Sequence, residues 1–226
     1  MRKKYLLFIV LFFWIILFGL WGFRLYFRRP FQVVMCAGDS ITAEAYPTYL
    51  QERLNQAGIR IKVVNKGVKG NTSGEYLRYL TSHPVLQEVN PHIVLLQLGT
   101  NDVRIDGDHT PTDQFVNNLN KIIDLIQNYT GPQGQRPKIL LATVPPLVID
   151  ENHRRVFNQD SQRRIVEEIN PAIKKIAKSR GLALLDLYQL FQEHPEFLTG
   201  VHPTQEGYKA MAEAWFNQLS PLVSSY

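Results

Sequence analysis

Residues 92–102 read HIVLLQLGTND. From Ile93 to Leu98 five of six side chains are apolar, with no alternation, and Gly99 stops the run. A stretch of this kind is too short for a buried helix. It has the pattern of a strand covered on both faces, which belongs to a parallel sheet with helices on each side. Four more stretches share the pattern: FQVVMCAG (31–38), IRIKVVNKG (59–67), KILLATVPP (138–146) and LALLDLY (182–188). Helical spacing lies between them. Residues 46–58 carry Tyr49, Leu50, Leu54 and Ala57 before Gly58, and a helix opens at Ser73. Phe115, Leu119, Ile122, Ile123 and Ile126 share one face after the cap residues at 110–112. Residues 159–181 read as one long helix with a kink at Pro171, and residues 204–219 as a closing helix. Five strands alternating with helices predict an α/β fold, a three-layer α/β/α sandwich on a five-stranded parallel sheet. The longest irregular stretch, 145–158, reads as a lid or a surface loop.

The 226 residues suffice for one domain with a sizeable core. The net charge of +5 is unevenly placed. Residues 1–30 hold Arg2, Lys3, Lys4, Arg24, Arg28 and Arg29 and no acid, which leaves 19 basic and 20 acidic residues beyond them. The folded part therefore lacks the basic footprint of a nucleic-acid binder. Leu6–Phe23 is an uncharged apolar run long enough to span a bilayer, and no small-residue cleavage site follows it. Residues 1–30 are expected to be a retained single-pass membrane anchor, followed by one domain at 31–226 that faces the extracytoplasmic side. Equal basic flanks leave the orientation itself without a vote. The single cysteine, Cys36, excludes an internal disulfide.

Ligands of such sheets bind at the carboxyl ends of the strands. The first strand ends in Gly38-Asp39-Ser40, the second leads to Gly70-Asn71, and the third delivers Gly99-Thr100-Asn101-Asp102. The loop before the last helix delivers His202. Singly each has a plainer role: Ser40 as a helix N-cap, Gly70 as a turn glycine, Asn101 as a turn residue, His202 as a loop histidine. Together they make the inventory of acyl transfer, namely a nucleophile, oxyanion donors and a general base. The six histidines are scattered without metal-ligand spacing, and GVKGNTSGE (67–75) lacks the ending of a phosphate loop. No metal or cofactor is expected.

GDSIT (38–42), the glycine of GVKGNTSGE, GTND (99–102) and VHPTQEGY (201–208) resemble, in order, the four blocks of the GDSL/SGNH hydrolase superfamily. The resemblance implies a flavodoxin-like sandwich and hydrolysis of carboxylic esters, sometimes thioesters; an anchor would bring lipid esters within reach, and an outward-facing domain the O-acetyl groups of an envelope glycan. It makes Ser40 the nucleophile, the Ser40 and Gly70 N–H groups and the Asn101 amide the oxyanion hole, and His202 the base. Asp39 and Asp102 are read as loop-fixing acceptors. One block departs from the family. Its Asp-x-x-His pattern meets Thr199 where the acid belongs. Three readings follow: a Ser–His dyad helped by a carbonyl or the Thr199 hydroxyl, a carboxylate from Glu196, Asp150 or Glu151, or a weak or inactive protein that binds an acylated ligand.

Overall fold

The computed structural model describes residue 14, residues 32–151 and residues 153–223. The chain divides into two units, Met1–Phe31 and Gln32–Tyr226. The expected anchor over 6–23 lies, save Trp14, outside the described residues. Among the described residues no helix is long and apolar enough to cross a membrane.

The second unit is built on five parallel strands: β1 (Gln32–Gly38), β2 (Ile61–Gly67), β3 (Ile93–Gln97), β4 (Lys138–Ala142) and β5 (Ala183–Leu185). Their order is β2-β1-β3-β4-β5. The register sets Gly38 beside both Gly67 and Gln97, so three strands end level. The chain reverses its winding between β1 and β3, the place where such sheets open a crevice.

Both faces of the sheet are covered, and the alternation of side chains divides the core in two. Met35, Ala37, Val94 and Leu96 face one layer, whose core side chains come from α3 (Ser73–Ser82), α4 (Val85–Val89), α5 (Thr112–Asn128), the turn Ile165–Ile169 into which α6 (Gln159–Arg164) leads, and α7 (Asn170–Arg180). Val34, Cys36, Ile93 and Leu95 face the other, made by α2 (Tyr46–Gln56), α8 (Leu187–Glu193) and α9 (Gln205–Val223). The two-residue period of a strand explains why every position of β3 is buried although its run shows no alternation. The five-stranded α/β/α expectation holds.

Of the boundaries that differ from the sequence reading, two have a plain physical cause. The 159–181 helix is three pieces: α6, a π-helical turn at Ile165–Ile169, and α7 with Pro171 in its first turn. A proline lacks the N–H that a continuous α-helix needs, and the wider turn before it absorbs the mismatch. The last strand ends at Leu185, not at 188, because the Asp186 carboxylate accepts the Gln189 N–H at 3.1 Å and starts α8.

Candidate active site

Ser40 opens a short helix, α1 (Ser40–Ala43), two residues beyond the end of β1. Asp39 caps it, with Oδ1 accepting the Ile41 N–H at 3.0 Å. Asp39 is fully buried. That burial pushes its carboxyl up to about 7, against hydrogen bonds from Ile41 and Thr100 that pull it down. As the first helical residue, Ser40 has no intrahelical acceptor for its own N–H.

His202 comes from a two-stranded hairpin, β6 (Leu198–Thr199) and β7 (His202–Pro203), immediately before α9. Its Nε2 stands 2.9 Å from Ser40 Oγ across 162 residues of sequence. Burial holds the imidazole below the usual histidine range. Glu44 pulls the other way, while His153 and Lys69 reinforce the depression. Glu44 and Lys69 pair with each other at 2.5 Å.

The other side of the site is made by the turns after β2 and β3. Gly70 takes φ +78°, a conformation that costs a side-chain-bearing residue but not glycine. Its N–H donates to no backbone carbonyl among the described residues. Asn101, 7 % exposed, lies in a 3₁₀ turn at Asn101–Val103. Its Nδ2 donates to the Asn71 carbonyl at 3.0 Å. A side-chain amide carries two donors, so one N–H remains for a ligand.

Asp102 explains why this side is rigid. It is fully buried, and its carboxylate accepts the Ser73 N–H at 2.9 and 3.1 Å and the Ser73 hydroxyl at 2.6 Å. Asn118 Nδ2 adds a bond to the same hydroxyl at 3.1 Å. Arg164, 4 % exposed, donates to the Asp102 carbonyl at 3.0 Å and the Thr110 carbonyl at 2.6 Å. Burial raises the Asp102 pKa, and the Ser73 bonds and Arg164 oppose it. Asp39 and Asp102 are thus structural acceptors, as the sequence reading had them. Ser73 and Arg164 were missed, since a helix N-terminal serine and a surface-like RR pair carry no local sign of burial.

The candidate orienters of His202 lie as follows. Thr199 pairs with His202 backbone to backbone across the hairpin, but its side chain is exposed, and among the described residues no side-chain hydrogen bond joins the two. Glu196 Oε1 is 3.2 Å from His194 Nδ1. Asp150 Oδ1 is 2.7 Å from His153 Nδ1, and Glu151 is exposed. Among the described residues no carboxylate hydrogen-bonds to His202. Nor does any cluster of His, Cys, Asp or Glu among them have the form of a metal site.

Residues 36–210 match the GDSL-like lipase/acylhydrolase family. The chain belongs to that family. This places it among the carboxylic ester hydrolases. A multidomain esterase of Ruminococcus flavefaciens is 26% identical over 76% of this chain. The chain spans only 21% of that protein's length. An arylesterase of Vibrio mimicus is 27% identical, with 80% of this chain and 85% of the relative aligned. In structure, the lipase/acylhydrolase of Enterococcus faecalis superposes with a TM-score of 0.70 at 23% identity, covering 85% of this chain and 97% of that one. At that identity the likeness speaks for the fold.

Proposed function

We propose that the protein is a serine esterase in which Ser40 and His202 work as a dyad. The observation that carries the reading is the 2.9 Å contact between Ser40 Oγ and His202 Nε2. For Nε2 to accept the hydroxyl proton, the imidazole must be neutral and protonated on Nδ1. The lowered pKa of His202 favours that neutral form at pH 7.

In the first half-reaction Ser40 Oγ attacks the ester carbonyl as its proton passes to His202. The negative charge that develops on the carbonyl oxygen meets the N–H groups of Ser40 and Gly70 and the second N–H of Asn101. Each such donor is worth about 3 kcal/mol to the transition state in comparable sites. His202 then gives the proton to the departing alcohol, leaving an acyl group on Ser40. Water, deprotonated by His202, attacks the acyl-enzyme, the acid leaves and the proton returns to Ser40. The imidazolium formed midway has Glu44 as the acid that bears on it electrostatically.

The substrates of this reading are acyl or acetyl esters of a lipid or a carbohydrate. Residues 1–30, as a single-pass anchor, would hold the domain at a membrane surface on its outer side. Their uncharged run, long enough to cross a bilayer, supports the anchor; the equal basic flanks do not choose the side. The reading as a catalytically weak protein that binds an acylated ligand draws on the lack, among the described residues, of a carboxylate hydrogen-bonded to His202.

Labelling with a fluorophosphonate tests the proposal. The natural protein should react at Ser40, and Ser40→Ala should abolish the signal. A natural protein inert to the probe favours the binding reading.

A further inference from the structure

The hairpin that carries His202 has two residues in each strand, Leu198 and Thr199 against Pro203 and His202. A pairing this short has almost no stability of its own. What packs against it therefore fixes where His202 points.

The turn of the hairpin is gripped by the 145–158 stretch. The Val148 N–H donates to the Gly200 carbonyl at 2.9 Å. The His153 imidazole fills the space where a side chain at position 200 would stand. A Cβ there would lie 2.4 Å from Cε1 and 2.7 Å from Nδ1 of His153, and φ at Gly200 is +62°. The ring is held in turn. Asp150 Oδ1 takes its Nδ1 at 2.7 Å and the His153 backbone N–H at 3.0 Å. The segment is tied down on both sides. The Leu147 N–H bonds Gln162 Oε1 at 2.8 Å, the Ile105 N–H bonds the Val156 carbonyl at 3.0 Å, and Phe157 is buried in the core. A contiguous path thus runs from the Asp150 carboxylate through the His153 ring and Gly200 to the Thr199–His202 pair, and on to Ser40.

We infer that Asp150 and His153 are positioning residues that hold the His202 hairpin against Ser40 and so take over the orienting part of the absent triad acid. The inference rests on the dyad reading above. It assigns these residues no contact with substrate. It accounts for an Asp-x-x-His spacing at 150–153 in a chain that lacks one at 199–202. It also makes the 145–158 stretch a brace for the hairpin.

The test is a double-mutant cycle on the full-length chain in detergent, with p-nitrophenyl acetate as substrate and rates scaled to the sites that react with a fluorophosphonate. Opposed residues of an antiparallel pair lie about 5 Å apart at Cβ, so Thr199→Asp supplies a carboxylate within reach of His202. His153→Ala should lower kcat per labelled site at least about fivefold with KM within about twofold. In the Thr199→Asp background the same change should cost at least about threefold less, because a direct carboxylate makes the brace redundant. Asp150→Asn, which keeps size and one acceptor, should lower kcat in the same direction at an unchanged melting temperature. A smaller loss in His153→Ala, or an equal loss in both backgrounds, overturns the inference; the latter is the mark of a merely structural residue. Hydrolysis that survives Ser40→Ala removes the dyad reading and this inference with it. Ser40-dependent hydrolysis indifferent to His153→Ala removes the inference alone.

Discussion

The two halves of the site are held by different means. On the oxyanion side, Asn101 sits one residue from a buried carboxylate that takes three hydrogen bonds from Ser73, with Asn118 and Arg164 bracing the same corner. On the base side, His202 rides on a two-residue hairpin whose own partner residue, Thr199, is exposed and offers no charge. One half is fixed by a satisfied polar network inside the core, where each bond is strong and each loss costly. The other is fixed by packing on its turn. The difference teaches that holding a base in place and stabilising its charge are separable tasks. A hairpin brace can do the first without a carboxylate on Nδ1, while the second is left to Glu44.

Breaking the buried half should cost most. Asp102→Ala would strand the Ser73 N–H and hydroxyl, while Arg164 keeps Glu168 at 3.3 Å and the carbonyl of residue 102. The expected loss is about 3–5 kcal/mol of folding stability, read from urea unfolding, with hydrolysis lost as the corner loosens. Asn101→Ala removes one oxyanion donor and one tie to Asn71, and should lower kcat about 10²- to 10³-fold with little change in melting temperature. Strengthening the other half should have a smaller effect of opposite sign. Thr199→Asp places a carboxylate across the hairpin from His202 and should raise kcat about tenfold, by stabilising the imidazolium. No gain would mean that His202 is already served from elsewhere. The smallest effect is in the pH profile. A base works when neutral, and burial lowers the His202 pKa. The acid limb of kcat/KM should therefore fall below the ordinary histidine value of about 6.5, so activity persists further into acid. Thr199→Asp should move that limb upward, since a facing carboxylate favours the charged ring.

The same contrast governed what the sequence disclosed. The sheet was legible because its strands are continuous apolar runs ended by glycine, and Ser40, Gly70 and Asn101 stand directly at their ends. Long-range contact between Ser40 and His202 followed once the strand ends were aligned on one rim. The hairpin was not legible, because two-residue strands carry no periodicity and LTGVHP reads as loop. The role of Asp186 was hidden inside LALLDLY, where an apolar run continues past a residue that in fact caps a helix. The π-helical turn before Pro171 left only the proline as a sign. The brace at 150–153 had one visible signal, the Asp-x-x-His spacing, but Asp150 was weighed only as a direct partner of His202. What packs on Gly200 is a tertiary fact with no local pattern.

The central claim is that Ser40 and His202 hydrolyse an ester with no carboxylate bonded to the imidazole. Its most direct measurement is steady-state hydrolysis of p-nitrophenyl acetate by the full-length natural chain beside Ser40→Ala. The account predicts turnover by the natural protein and a fall of about 10⁴-fold or more in the variant. No turnover by the natural protein, or equal turnover by both, would contradict it.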